Sequence, residues 1–230
     1  MEWNTTIVTA TLLAGVWGGY RVDLTGQTLS QTTGWHALFD ETSATGWRGY
    51  RRSDLPDGWQ VVDGTLARVA PAGDIITVDL FESFELVFDW KVERGGNSGI
   101  FFGVSEDGDA VWHSGPEFQI LHNAGHRDGQ QPITSAGSNY AVHPPVRDVT
   151  RTVGEWNEGR LIVDGNRVEH WMNGVQLLIY ERGSADWKAR VAASKFANSP
   201  HYGTVSRGHL AIQDHGDPVW FRNMKIRPIE

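Results

Sequence analysis

Short runs in which apolar and polar residues alternate, separated by Gly, Asp, Asn or Pro, recur from residue 35 to the C-terminal end of the sequence. A period of two puts successive side chains on opposite faces of a pleated strand, and the three-to-four-residue spacing of an amphipathic helix is nearly absent. Residues 83–92 are the clearest case. Phe84, Leu86, Phe88, Trp90 and Val92 fall on one face and Glu85, Val87, Asp89 and Lys91 on the other, which predicts a half-buried strand. Trp59-Gln60-Val61-Val62 leads through Asp63-Gly64 into Thr65-Leu66-Ala67-Arg68-Val69, the signature of a hairpin with a two-residue turn. Further strands are predicted over 100–104, 117–122, 160–163, 167–172, 177–181, 209–213 and 219–227. Asp164-Gly165-Asn166 and Asn173-Gly174 supply sharp turns whose residues tolerate positive φ. Strands of this length and spacing predict an all-β sandwich of two packed antiparallel sheets.

Two polar stretches interrupt the pattern, 122–156 and 184–207. Connections that long inside a domain usually form functional rims or lids. At the other end, residues 7–17 are an apolar run about as long as a signal-peptide core. Glu2 stands where a basic segment belongs, the first positive residue is Arg21, and no lipid-attachment cysteine follows. Residues 1–34 are therefore read as an N-terminal arm or an atypical export segment, without a convincing signal peptide, and the run is too short to span a bilayer. Residues 35–230 form the β-sandwich domain.

Composition narrows the function classes. The 230 residues, 40% hydrophobic and 21% charged, can build a single core. Twenty-seven glycines suit a turn-rich β protein, and eleven tryptophans offer half-polar platforms of the kind that hold sugars. A formal net charge of -8 without a Lys/Arg cluster argues against a nucleic-acid partner. With no cysteine, disulfides, thiolate metal sites and a cysteine nucleophile are excluded.

The candidate chemistry centres on Glu117-Phe118-Gln119-Ile120-Leu121-His122. Alternation places Glu117 and Gln119 on one face and Phe118 and Ile120 on the core face, so Glu117 is expected as a solvent-accessible carboxylate on the floor of a groove. The next positions on its face are Gln119, Leu121 and Asn123. Glycosidases of the ordinary kind need a second carboxylate at a set separation, and this strand does not provide it. Gly95-Gly96-Asn97-Ser98-Gly99 lacks the Gly-Lys-Ser/Thr of a phosphate loop and is expected to allow close backbone approach with the Asn97 amide exposed. No nucleophile elbow surrounds Ser98. His170, on a strand, and His215, at a strand end, read most simply as hydrogen-bonded structural histidines, and no metal-ligand spacing links the nine histidines. Asp107, Asp109 and Asp217 beside glycine turns are oxygen donors suited to calcium, although solvated loop charge explains them as well.

Taken in order, these blocks resemble the 3-keto-disaccharide hydrolase family: Trp35-His36-Ala37-Leu38-Phe39-Asp40, Trp59-Gln60-Val61-Val62-Asp63-Gly64, Gly96-Asn97-Ser98-Gly99-Ile100-Phe101-Phe102, Glu117-Phe118-Gln119-Ile120-Leu121, Val168-Glu169-His170-Trp171-Met172-Asn173-Gly174, Gly208-His209-Leu210-Ala211-Ile212-Gln213-Asp214-His215-Gly216 and Phe221-Arg222-Asn223. Two departures stand out. Asp40-Glu41 replaces the family's Asn-Gly, and His122-Asn123 replaces its Asp-Asn, the second where substrate or ion contacts could change. The resemblance implies a concanavalin A-like jelly roll and a secreted or periplasmic protein acting on an oligosaccharide or glycoside already oxidised at carbon 3. It also implies a chemistry for which one base suffices: the ketone acidifies the C2 hydrogen, the enolate expels the C1 substituent, and water adds to the enone. Under that reading Glu117, His170 and Lys195 are the candidate catalytic groups, with Asn97, Gln119, Tyr140, Trp156, Asp214, His215 and Arg222 as substrate contacts and a divalent cation such as calcium as a conceivable aid. A non-catalytic carbohydrate-binding module and a conventional glycosidase of the same fold, with Asp214 brought to Glu117, stay open beside it.

Overall fold

The computed structural model describes residues 34–229 and, before them, the paired strands β1 (Arg21–Val22) and β2 (Thr28–Leu29). The chain divides into two units, 1–33 and 34–230. Apart from those two strands and Gly34, the expected N-terminal arm lies outside the described residues.

In the second unit the alternating runs become β3 (His36–Ala37), β4 (Trp47–Gly49), β5 (Trp59–Val62), β6 (Thr65–Arg68), β7 (Ile75–Thr77), β8 (Phe84–Val92), β9 (Asn97–Val104), β10 (Glu117–Leu121), β11 (Asn157–Asp164), β12 (Arg167–Met172), β13 (Val175–Glu181), β14 (His209–Ile212) and β15 (Val219–Pro228). One sheet has the order β10-β9-β14-β7-β4. The other runs β13-β12-β11-β8-β15-β6-β5, with β3 added against β15, and every pairing is antiparallel. This is the two-sheet sandwich that the alternation predicts, in the concanavalin A-like jelly-roll form that the resemblance implies. At the predicted hairpin, Asp63 (φ 49°) and Gly64 (φ 72°) both adopt the left-handed conformation that a two-residue turn between twisted strands requires.

The core lies between the sheets. Phe84, Leu86, Phe88, Trp90 and Val92 of β8 are all buried there, as the period of two demands, facing Ile100, Phe102, Phe118 and Ile120 of the smaller sheet. Gly159 of β11 is a glycine for a steric reason, since a Cβ there would lie 2.4 Å from the Phe88 ring. Strands β3, β4 and β7 escape prediction because strands of two or three residues are too short to show alternation. The other departure is a helix, α1 (Ala185–Ala192), inside the second polar stretch. Ser184 caps it by accepting a hydrogen bond from Trp187 N (3.1 Å), and Asp186 sits in the first turn.

Two devices turn the long loops into a fixed cover over the smaller sheet. Residues 137–140 run along the edge of β10, with Gln119 N donating to Ser138 O, Gly137 N to Gln119 O and Tyr140 N to Glu117 O. An open strand edge is thereby satisfied. A column of rings, His143, Tyr180, Trp187, Tyr202 and Phe196, then stacks at centroid spacings of 4.6, 5.3, 5.7 and 4.0 Å. It joins β13 and α1 to the loop after the helix. At about 0.5–1.5 kcal/mol per aromatic pair beyond burial, four contacts are enough to hold a surface segment in one place.

Phe118 is the test of this core. It is fully buried, meets Phe88 edge to face at 5.5 Å and stacks on His170 at 4.8 Å. Phe118→Ala should cost about 3–5 kcal/mol in denaturant unfolding; a loss below about 1 kcal/mol would mean that β10 does not pack as described.

Candidate functional site

Strand β10 is buried on both faces, because the loops cover its outer side. Phe118 and Ile120 enter the core, while Glu117 and Gln119 point the other way into a polar cavity lined by Asn97, Glu117, Gln119, Asp128, Tyr140, Lys195, Gln213 and His215. Its volume is about 60 Å³, well below the ~300 Å³ at the small end of ordinary ligand pockets. A sugar could set only one edge of its ring into that space, the rest lying outside.

Glu117 is 5% exposed, so the expectation of a solvent-accessible carboxylate is corrected: the side chain is on the predicted face, but under a roof. It lies flat on the backbone of Gly99, where a Cβ would stand 2.2 Å from Glu117 Oε1 and 2.9 Å from Cγ and Cδ. The close approach expected of the Gly95–Gly99 segment is thus made by a side chain of the neighbouring strand. Asn97 is also corrected, being 2% exposed with its Oδ1 unpartnered; Gln119 is 1% exposed with Oε1 unpartnered. Two carbonyl oxygens stripped of water and left without donors invite the hydroxyl groups of a ligand.

Burial pushes the Glu117 carboxyl well above the usual carboxylate range; the Lys195 cation opposes the shift, and Asp74 and Asp128 reinforce it. Lys195 is exposed as a whole residue, yet its Nζ reaches back over the Tyr140 ring, 4.2 Å from the centroid. There loss of water lowers its pKa, against the pull of Glu117 and Asp128. The Tyr140 hydroxyl donates to Asp128 Oδ2 (2.9 Å), and burial together with that bond raises the phenol. Lys195 follows Ser194, whose Oγ donates to Val191 O and accepts from Phe196 N, and Phe196 ends the ring column. The helix and the column therefore fix where the ammonium stands.

Of the catalytic candidates, the structure brings Glu117 and Lys195 together and leaves His170 apart. His170 is wholly buried on the core side of β10, stacked on Phe118, with Nδ1 3.1 Å from Gly137 O; burial pushes it down to about 3. Asn97, Gln119, Tyr140 and His215 line the cavity with Glu117. Trp156 and Arg222 do not. They stack on each other at 4.2 Å on the outer face of the larger sheet, where Lys91 also covers Trp156 and Arg222 Nε bonds Asp89 (3.0 Å). Asp214 is a clamp rather than a contact: it pairs with buried Arg68 (2.8 Å) and accepts from Ala72 N and Gly73 N, while its own N donates to Asp74 Oδ1 (2.9 Å). That clamp aims its neighbours Gln213 and His215 at the cavity. His122 Nδ1 accepts from Gly95 N and Asn123 Oδ1 from Ala136 N, so the His122-Asn123 departure ties loops together. Asp128 was missed because nothing periodic marks it within 122–156; Gln213 was legible as the next position after Ala211 on the face of β14 turned away from the core.

Among the described residues no three His, Asp or Glu side chains cluster as metal ligands.

The raised Glu117 pKa has a signed consequence. Between the unfolded value, ~4.3, and its higher folded value, the native state holds a proton that the unfolded state has released, so stability falls as pH rises through that window. Glu117→Gln should flatten this part of the stability-against-pH curve measured by urea unfolding. Gly99→Ala, by displacing the carboxylate, should move the Glu117 midpoint seen by carboxyl NMR towards the ordinary range. An ordinary midpoint in the unaltered protein would contradict the burial.

Comparison with known proteins accords with this geometry. A family model described as the 3-keto-alpha-glucoside-1,2-lyase-like domain matches residues 34–227. A Bacteroides thetaiotaomicron protein named 3-keto-disaccharide hydrolase is 32% identical over 229 residues, spanning 86% of this chain and 79% of its own. A crystal structure of a candidate glycosyl hydrolase from Parabacteroides distasonis superposes with a TM-score of 0.80 at 34% identity, covering 86% of this chain and 94% of that one. A second from the same organism gives 0.67 at 25% identity, covering 85% and 100%. The match across nearly all of residues 34–229 places this chain in the 3-keto-alpha-glucoside-1,2-lyase-like domain family.

Proposed function

We propose that this carbohydrate-active protein cleaves the glycosidic bond of 3-keto-glycosides, with Glu117 as the base. The observation that carries the reading is a buried carboxylate in a small polar cavity, beside a lysine ammonium and two unpartnered amide oxygens. A base whose pKa lies near working pH both accepts and returns a proton efficiently, and burial moves Glu117 in that direction. The ketone at C3 makes the C2 hydrogen acidic. Glu117 takes that proton, the electron pair moves into the C3 carbonyl as an enolate, and the Lys195 ammonium stabilises the oxyanion. Reclosing of the carbonyl expels the C1 substituent. Water then adds to C1 of the enone while the Glu117 proton returns to C2, so the sum is hydrolysis. Asn97 Oδ1 and Gln119 Oε1 accept from ring hydroxyls and fix the sugar face presented to Glu117. Elimination followed by hydration also reconciles a family described by a lyase with a relative named a hydrolase.

The test uses one disaccharide before and after enzymatic oxidation at C3. Cleavage should require the oxidised form, and Glu117→Gln should lower its turnover by about 10²–10⁴-fold with an unchanged fold. Equal cleavage of the unoxidised sugar would favour conventional hydrolysis, and glycan binding without cleavage of either form would favour a binding module.

A further inference from the structure

The reaction needs a proton for the departing oxygen, and neither Glu117, which gains the C2 proton at that moment, nor Lys195, occupied with the oxyanion, supplies it. One imidazole lines the cavity and a second packs against it. The first is His215, its side chain 43% exposed, and its ring meets that of His126 edge to face, centroids 5.6 Å apart at 79°. His126 is held in turn, its Nδ1 accepting from Asp128 N (3.1 Å), and Asp128 is the residue that anchors the Tyr140 hydroxyl inside the cavity. On the other side, His215 Nδ1 lies 3.8 Å from Asp217 Oδ2, while Nε2 makes no hydrogen bond with the described residues. The clamp at Asp214 fixes the backbone on which His215 sits.

Depth decides what this group faces. The cavity is small, about 60 Å³, and C2 must meet Glu117 at its floor, where exposure is 5%. The C1 substituent, one bond from C2, then has to leave through the mouth, past the half-exposed His215. We propose that His215 is the acid that protonates the leaving C1 oxygen, an assignment that rests on the elimination reading above. As the C1–O bond breaks, its electron pair takes the Nε2 proton of the His215 imidazolium, leaving neutral imidazole, and the alcohol departs. The imidazole, now without that proton, accepts one from the water whose hydroxide adds to C1, while Glu117 returns its proton to C2. Both side chains end in their starting states, and a 3-keto-glycoside and water have become a 3-keto sugar and an alcohol.

The experiment compares 3-keto-glucosides with alkyl and nitrophenyl leaving groups. An alkoxide cannot leave unprotonated and a nitrophenolate can. His215→Gln should therefore lower cleavage of the alkyl substrate by about 10²-fold or more and that of the nitrophenyl substrate far less. Exchange of the C2 hydrogen with solvent in recovered alkyl substrate should continue in the variant, because Glu117 is untouched. Equal losses on both substrates, no loss on either, or loss of C2 exchange would overturn the assignment. Should the variant not fold, the unaltered protein still decides it: with an acid in place its cleavage rate depends only weakly on leaving-group acidity, and a steep dependence would contradict the proposal. Cleavage by the unaltered protein with neither C2 exchange nor a primary C2 isotope effect would instead remove the elimination reading itself.

Discussion

Strand β10 carries core on one face and chemistry on the other, and most of the molecule is arranged to make both faces dry. The inward side, Phe118 and Ile120, is ordinary sandwich packing. The outward side is costly, because an ionised carboxylate taken out of water without a close partner costs several kcal/mol. The chain meets that cost in two ways. Burial shifts Glu117 towards its neutral form, and a lysine ammonium across the cavity tempers the shift without closing on it as an ion pair. A side chain held in this balance sits near the point where proton uptake and release are both accessible.

The surrounding elements follow from that requirement. Gly99 leaves room for the carboxylate to lie on the neighbouring strand, the 137–140 segment closes the strand edge, and the ring column locks the loop that delivers Lys195. The buried Arg68–Asp214 pair supports the remaining wall. Breaking such a pair would strand a charge in the interior, typically at a cost of 3–5 kcal/mol, so Asp214 earns its place through structure. Together these devices hold groups from β9, β10, β14 and two distant loops around one small volume.

The sheets were legible because a period of two survives any tertiary context with one buried face: β8 and β10 appear in the sequence with the same inward residues as in the structure. The floor of the site was legible for the same reason. Its roof was not. Alternation says that Glu117 faces away from the core, but not that 122–156 and 184–207 fold back over it, so a groove was expected where there is a cavity. His170 shows the limit from the other direction. Its strand was found, yet the family block that drew notice to it does not say which face a histidine occupies, and the core face excludes it from the cavity. Trp156 and Arg222 went astray likewise, lying on the outer face of the opposite sheet, where tryptophans stack with cations and not with the cavity residues. Helix α1 was within reach, since Ser184 with Asp186 in the first turn is a capping signal that the polar character of the stretch concealed.

The central claim is that cleavage proceeds through removal of the C2 proton by Glu117. It is tested most directly with a 3-keto-glycoside deuterated at C2, following the label in the 3-keto sugar released. Elimination through Glu117 predicts that deuterium passes to the carboxylate and is lost to solvent, wholly or in part, before C2 is reprotonated, and that Glu117→Gln abolishes both loss and cleavage. Full retention of deuterium at C2 together with no primary isotope effect on cleavage would contradict the account.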